Sequence, residues 1–151
     1  MKTVPALAAA ALPALLLGAC MTAPPSAPQP PPLSPHDACR ALVDSLVAAI
    51  PPGQSLADLQ ARGVRVRTPL SFPPGTPPPS SQSSGATVQL MIQPDGNVVP
   101  GSPKTLRSVG EPQIAQAMEA GALSMQFDFD MPARPTAPIP YTTTFAMCLR
   151  P

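Results

Sequence analysis

The chain has 151 residues, and subtracting an N-terminal leader and linker leaves room for a single domain of about 100 residues, which excludes a multi-domain enzyme. Only 11% of residues are charged and the formal net charge is +1, so the sequence offers neither a nucleic-acid footprint nor a polybasic patch for anionic lipid. Its 26 prolines gather from Pro24 to Pro35 and from Pro69 to Pro79, where an extended backbone is expected, so regular structure must lie between these clusters.

Lys2 precedes an apolar run from Val4 to Ala19 that is short for a spanning helix and interrupted by Pro5 and Pro13. The expectation is a signal peptide over residues 1–19. The run ends Leu17-Gly18-Ala19-Cys20, which resembles the bacterial lipobox, in which small residues precede the cysteine whose thiol takes a diacylglycerol. The competing reading is an ordinary leader with Cys20 free or disulfide-bonded. The resemblance implies a lipid-anchored protein attached to the membrane through Cys20, with acyl chains contributing about 0.8 kcal/mol per buried methylene. Met21, in place of an aspartate, resembles an outer-membrane sorting signal and implies a protein facing the periplasm. Residues 20–33 are then the lipidated cysteine and a proline-rich stalk of about 3.1 Å per residue, reaching roughly 40 Å.

Two cysteines remain, Cys39 and Cys148. An even pair in an exported chain points to a disulfide, and closing a loop of about 100 residues is worth up to about 4.7 kcal/mol in the chain-entropy model. A redox or metal pair is disfavoured by the absence of CxxC spacing and by a single histidine, His36.

Residues 34–64 read as a helical segment. Ser34-Pro35-His36-Asp37 supplies an N-cap, a first-turn proline and an acid, and the helix that follows places Cys39, Leu42, Val43, Leu46 and Ile50 on one stripe before Pro51-Pro52-Gly53. A second short helix is expected from Ser55 to Ala61, ending at Gly63. From Arg65 a brief extended piece leads into a polar, proline-rich loop that ends at Gly85 and is not expected to pack.

Ala86 to Gln93 alternates Val88, Leu90 and Ile92 against Thr87, Gln89 and Gln93, the pattern of a half-buried strand. A turn at Pro94-Asp95-Gly96-Asn97 and return-strand material at 97–99 and 104–109 follow. Pro112 to Ser124 has helical spacing through Ile114, Ala117, Met118 and Gly121, and its small residues predict close packing on a sheet. Met125, Phe127 and Phe129 alternate with polar residues as a strand ended by Pro132. In the last strand, from Ile139 to Leu149, Tyr141, Thr143, Phe145, Met147 and Leu149 share one face, opposite Thr142, Thr144, Ala146 and Cys148. The expected class is α+β: a small antiparallel sheet with a helix on one face. An additional N-terminal helix is expected to be clamped onto the second face through Cys39 and Cys148.

From about Pro69 to Leu149 the chain resembles the C-terminal domain of TonB-type proteins. The features are Pro69, Phe72 and Pro73; Gly85 and Val88; Asp95-Gly96; Ser108 and Gly110; Ile114, Ala117 and Ala122; Phe127 and Phe129; Pro132-Ala133; and Phe145 with Leu149. Their order and spacing carry the likeness. Residues 65–151 are thereby read as a TonB C-terminal-like domain. The family usually has a tryptophan where Phe127 stands and a tyrosine where Phe72 stands. It also has a transmembrane helix coupled to a proton-driven motor, which this chain replaces with a lipid. The resemblance therefore implies a binding module linked to envelope transport and not a transducer, one that pairs its sheet edge with an extended peptide of an envelope protein. The expected edge is Tyr141, Thr142, Thr143 and Thr144, exposed near the start of the last strand; alternatively these threonines are simply good strand formers on a solvated face.

No catalytic role is assigned, because His36 stands alone beside the linker. No cofactor or metal is expected. Asp128, Asp130 and Asp95 offer a carboxylate cluster, but a solvated strand face and a turn account for them. A structural envelope lipoprotein without a single client is the alternative function.

Overall fold

Two serines start the first two helices. Ser34 accepts the Asp37 N–H at 3.2 Å, and Pro35 occupies the first turn of α1 (Pro35–Val47). Ser55 and Asp58 form a reciprocal capping box at α2 (Leu56–Ala61), with N–H to oxygen distances of 3.1 and 3.0 Å. The structure, a computed structural model, describes residues 33–76, 78, 83–131 and 134–148. The expected leader, the lipidation at Cys20, most of the stalk, Pro132-Ala133 and Leu149 lie outside the described residues. No helix among the described residues is long and apolar enough to cross a membrane.

After α2 the chain turns at Gly63 into β1 (Val64–Thr68), and β2 (Ser84–Ile92), β3 (Lys104–Val109), α3 (Pro112–Ala122), β4 (Gln126–Phe129) and β5 (Ile139–Met147) follow. The class is α+β, as expected, with three helices and antiparallel pairing throughout among the described residues. The strands divide between two sheets: three strands in the order β3-β2-β5, and two in the pair β1-β4. The brief extended piece at Arg65 is thus a partner strand. Val64 and Val66 pair with Phe129 and Phe127, while Arg65 and Arg67 on the outer side meet Asp130 at 2.9 Å and Asp128 at 3.4 Å. The two sheets are joined where Phe127 donates its N–H to the Gly96 carbonyl at 2.9 Å. Gly96 has φ of 89°, and a Cβ there would run into the Phe127 backbone.

β2 is buried on both faces and not half-buried, because each face has its own helix. Ala86, Val88, Leu90 and Ile92 join Met118 and Ala122 of α3 in the main core. The opposite face turns Thr87 and Gln89 toward α1 and the loop after it. There α1 buries Leu42 and Leu46, whereas Val43 points outward at 37% exposure, so the apolar stripe is narrower than the sequence predicts. A bond between Cys39 and Cys148, with Cα atoms 5.5 Å apart and a sequence separation of 109, ties this helix to the chain leaving β5.

α3 lies on β2 as its small residues predict, with Ala115 and Ala122 buried in the core that the two elements share. Gly121 adds a second close approach, lying against the Ser71 carbonyl of the segment at 69–72, where a Cβ would collide. Contrary to the expectation for this loop, Leu70 and Phe72 pack against the core, Phe72 meeting Phe145 of β5.

Candidate functional site

β5 pairs with β2 over nine residues without a register shift, from Ser84 opposite Met147 to Ile92 opposite Ile139. Regular antiparallel pairing sends successive residues' main-chain groups alternately toward and away from the partner. Thr142 donates its N–H outward, to the Gln54 carbonyl at 2.9 Å. By alternation Thr144 and Ala146 also aim their N–H and C=O groups outward, and these have no partner among the described residues.

The four residues expected at an exposed edge have different fates. Tyr141 is 4% exposed and Thr142 2%, so neither is the surface residue the sequence predicts. Tyr141 packs edge-on against Phe127, with ring centroids 5.4 Å apart. Burial pushes its hydroxyl pKa above the ordinary value near 10, with a hydrogen bond to Thr143 acting the other way, so the ring stays neutral at physiological pH. Thr142 is covered by Gln54, whose side-chain oxygen accepts from the Thr142 hydroxyl at 3.1 Å and from the Gln89 amide at 2.6 Å. Thr143 and Thr144 are half-buried. The Thr144 hydroxyl lies 3.1 Å from that of Thr87, whose own proton goes to the Leu46 carbonyl at 2.7 Å, so Thr144 is the donor.

Beside the open half of β5 lies a groove of about 480 Å³. Tyr141, Thr143, Thr144 and Phe145 form its β5 side. Leu56 of α2, Val66 of β1, and Pro69, Leu70 and Phe72 of the following segment form the opposing wall. Phe72 meets Phe145 edge-on with centroids 4.6 Å apart, and Met125 completes the lining. No residue lining the groove carries a charge at neutral pH. The arrangement places main-chain groups that are unpaired among the described residues next to an apolar trough, a combination that can receive an extended backbone.

The aspartates offered as a carboxylate cluster are otherwise engaged. Asp128 and Asp130 pair with Arg67 and Arg65, and Asp95 accepts from the Asn97 main chain and amide, which hold its pKa below the usual carboxylate range. Among the described residues no three metal-ligating side chains converge. His36 is exposed on α1.

Sequence reasoning missed Gln54 and Leu56. Their only local signal is a position just after Pro51-Pro52-Gly53, which stops α1 and turns the chain back toward β5. No protein-family model and no curated protein matches the chain.

Proposed function

We propose that the chain is a lipoprotein of the cell envelope, anchored through Cys20 in the outer membrane and facing the periplasm. Its domain serves as an adaptor that binds an extended peptide of another envelope protein. The observation carrying this reading is the open half of β5: outward main-chain groups at Thr144 and Ala146, unpartnered among the described residues, beside an uncharged groove. A free, uncharged edge recruits a further strand unless something blunts it. The Cys39–Cys148 bond agrees with an oxidising compartment, and the Leu17-Gly18-Ala19-Cys20 run supports the anchor. The likeness to TonB C-terminal domains supplies the type of partner, a peptide of an outer-membrane receptor or transport component.

Photo-crosslinking in the native host tests the proposal. A photoreactive residue in place of Thr144 is expected to capture one envelope protein, and the same residue in place of His36 is expected not to. Capture should fall sharply with Cys20→Ser, which removes the anchor. Equal capture from both positions, or none from Thr144 with Cys20 still lipidated, would favour a structural lipoprotein without a client.

A further inference from the structure

The open edge and the groove differ in what they can discriminate. Main-chain groups at Thr144 and Ala146 accept any extended backbone, since every residue but proline offers the same donor and acceptor. The groove is selective. Side chains of a strand laid along β5 alternate between two faces. Those on the side of Tyr141, Thr143 and Phe145 face the trough walled by Leu56, Leu70 and Phe72. A charged group there would lose hydration and meet no counter-charge, whereas an apolar one would leave water for an apolar surface. Gln54 adds a stop: because its carbonyl already takes the Thr142 N–H, an incoming strand can pair only beyond that residue. Leu56, 41% exposed at the mouth, shows that the trough is open to solvent.

Building on the peptide-binding role proposed above, we infer that the site takes a short extended peptide bearing one large, uncharged apolar side chain. That side chain enters the groove, and the Gln54 stop sets the peptide's register. Leu56, Leu70 and Phe72 select the side chain, and the β5 edge holds the backbone.

The test uses the full, oxidised chain in lipid nanodiscs, with empty nanodiscs as the blank. The probes are labelled heptapeptides, blocked at both ends, made of threonine with a central guest: leucine, phenylalanine, alanine, lysine or glutamate. Each is also made with alternate amide nitrogens methylated, in both phases. Fluorescence anisotropy is expected to give leucine and phenylalanine guests about tenfold tighter binding than alanine. Lysine and glutamate guests should be weaker than alanine, and methylation in one phase should abolish binding. Leu56→Asp should weaken the leucine peptide about tenfold, removing most of its advantage over the alanine peptide, and leave the thermal midpoint nearly unchanged.

If binding survives methylation in both phases, the strand-pairing role itself fails. If methylation abolishes binding but all guests bind alike and Leu56→Asp changes nothing, strand pairing stands and the groove's selectivity is wrong. Absence of binding by every peptide overturns both, and self-association that protects the Thr144 amide from exchange would assign the edge to a second copy of the chain.

Discussion

On one face of the three-stranded sheet, β2 sends Ala86, Val88, Leu90 and Ile92 into a core shared with α3; on the other it sends Thr87 and Gln89 toward α1 and Gln54. The first face is a continuous apolar cluster. The second has two fully apolar anchors, Leu42 and Leu46, a short chain of hydrogen bonds, and a covalent bond. Burial of apolar area is non-directional and large, so the α3 face needs no further device. Polar contacts contribute about 0.5–1.5 kcal/mol each, so a helix seated on them gains much from a cross-link. The disulfide therefore substitutes on the α1 side for the apolar area that α3 supplies on the other.

The largest expected effect comes from removing that bond. Replacing Cys39 and Cys148 together by serine should lower unfolding stability by about 4 kcal/mol in the chain-entropy account of a loop of this size. Hydrogen exchange sharpens the contrast: α1 amides should open well before those of β2 in the double variant. If α1 and β2 amides still exchange together, the helix is held by its packing and the distinction between the faces collapses. Next is Leu90→Ala. This side chain is fully buried on the α3 face, and truncation should cost about 3 kcal/mol in denaturant unfolding. Here protection should fall throughout the sheet and α3 together, with no early loss confined to α1.

Both faces were partly legible in the sequence. The alternation of Val88, Leu90 and Ile92 identifies the core side of β2, and the place of Cys148 opposite Phe145 in the last strand predicts which face α1 covers. What alternation misreads is Thr87 and Gln89, because a polar residue facing a helix looks the same in sequence as one facing water. The β1-β4 pair was illegible for another reason. Five residues from Val64 to Thr68 carry too little periodicity, and their partners lie some 60 positions later, matched by Arg65 with Asp130 and Arg67 with Asp128 only once the chain has folded. The groove is hidden in the same way, since Leu56, the pair Leu70 and Phe72, and Phe145 come from three separate stretches. Tyr141 and Thr142 were read as exposed because nothing near them in sequence announces Gln54 or Phe127.

The smallest expected effect tests the polar face atom by atom. Thr87 donates to the Leu46 carbonyl and accepts from Thr144, so Thr87→Val keeps the shape and deletes both bonds. The Leu46 carbonyl, near the end of α1, also accepts from the Ala49 N–H at 3.1 Å, so it is not orphaned. Thr144 does lose its acceptor. The cost should therefore be about 1 kcal/mol, at the low end for a buried polar group deprived of a partner. Thr87→Val combined with Thr144→Val should cost less than the sum of the two single changes, because the second removes the hydroxyl that the first leaves unpaired. A double-mutant cycle measured by urea unfolding reads this coupling directly. Strict additivity would mean that water already serves Thr144, in which case α1 lies over a wet seam and the disulfide contributes a still larger share of its attachment.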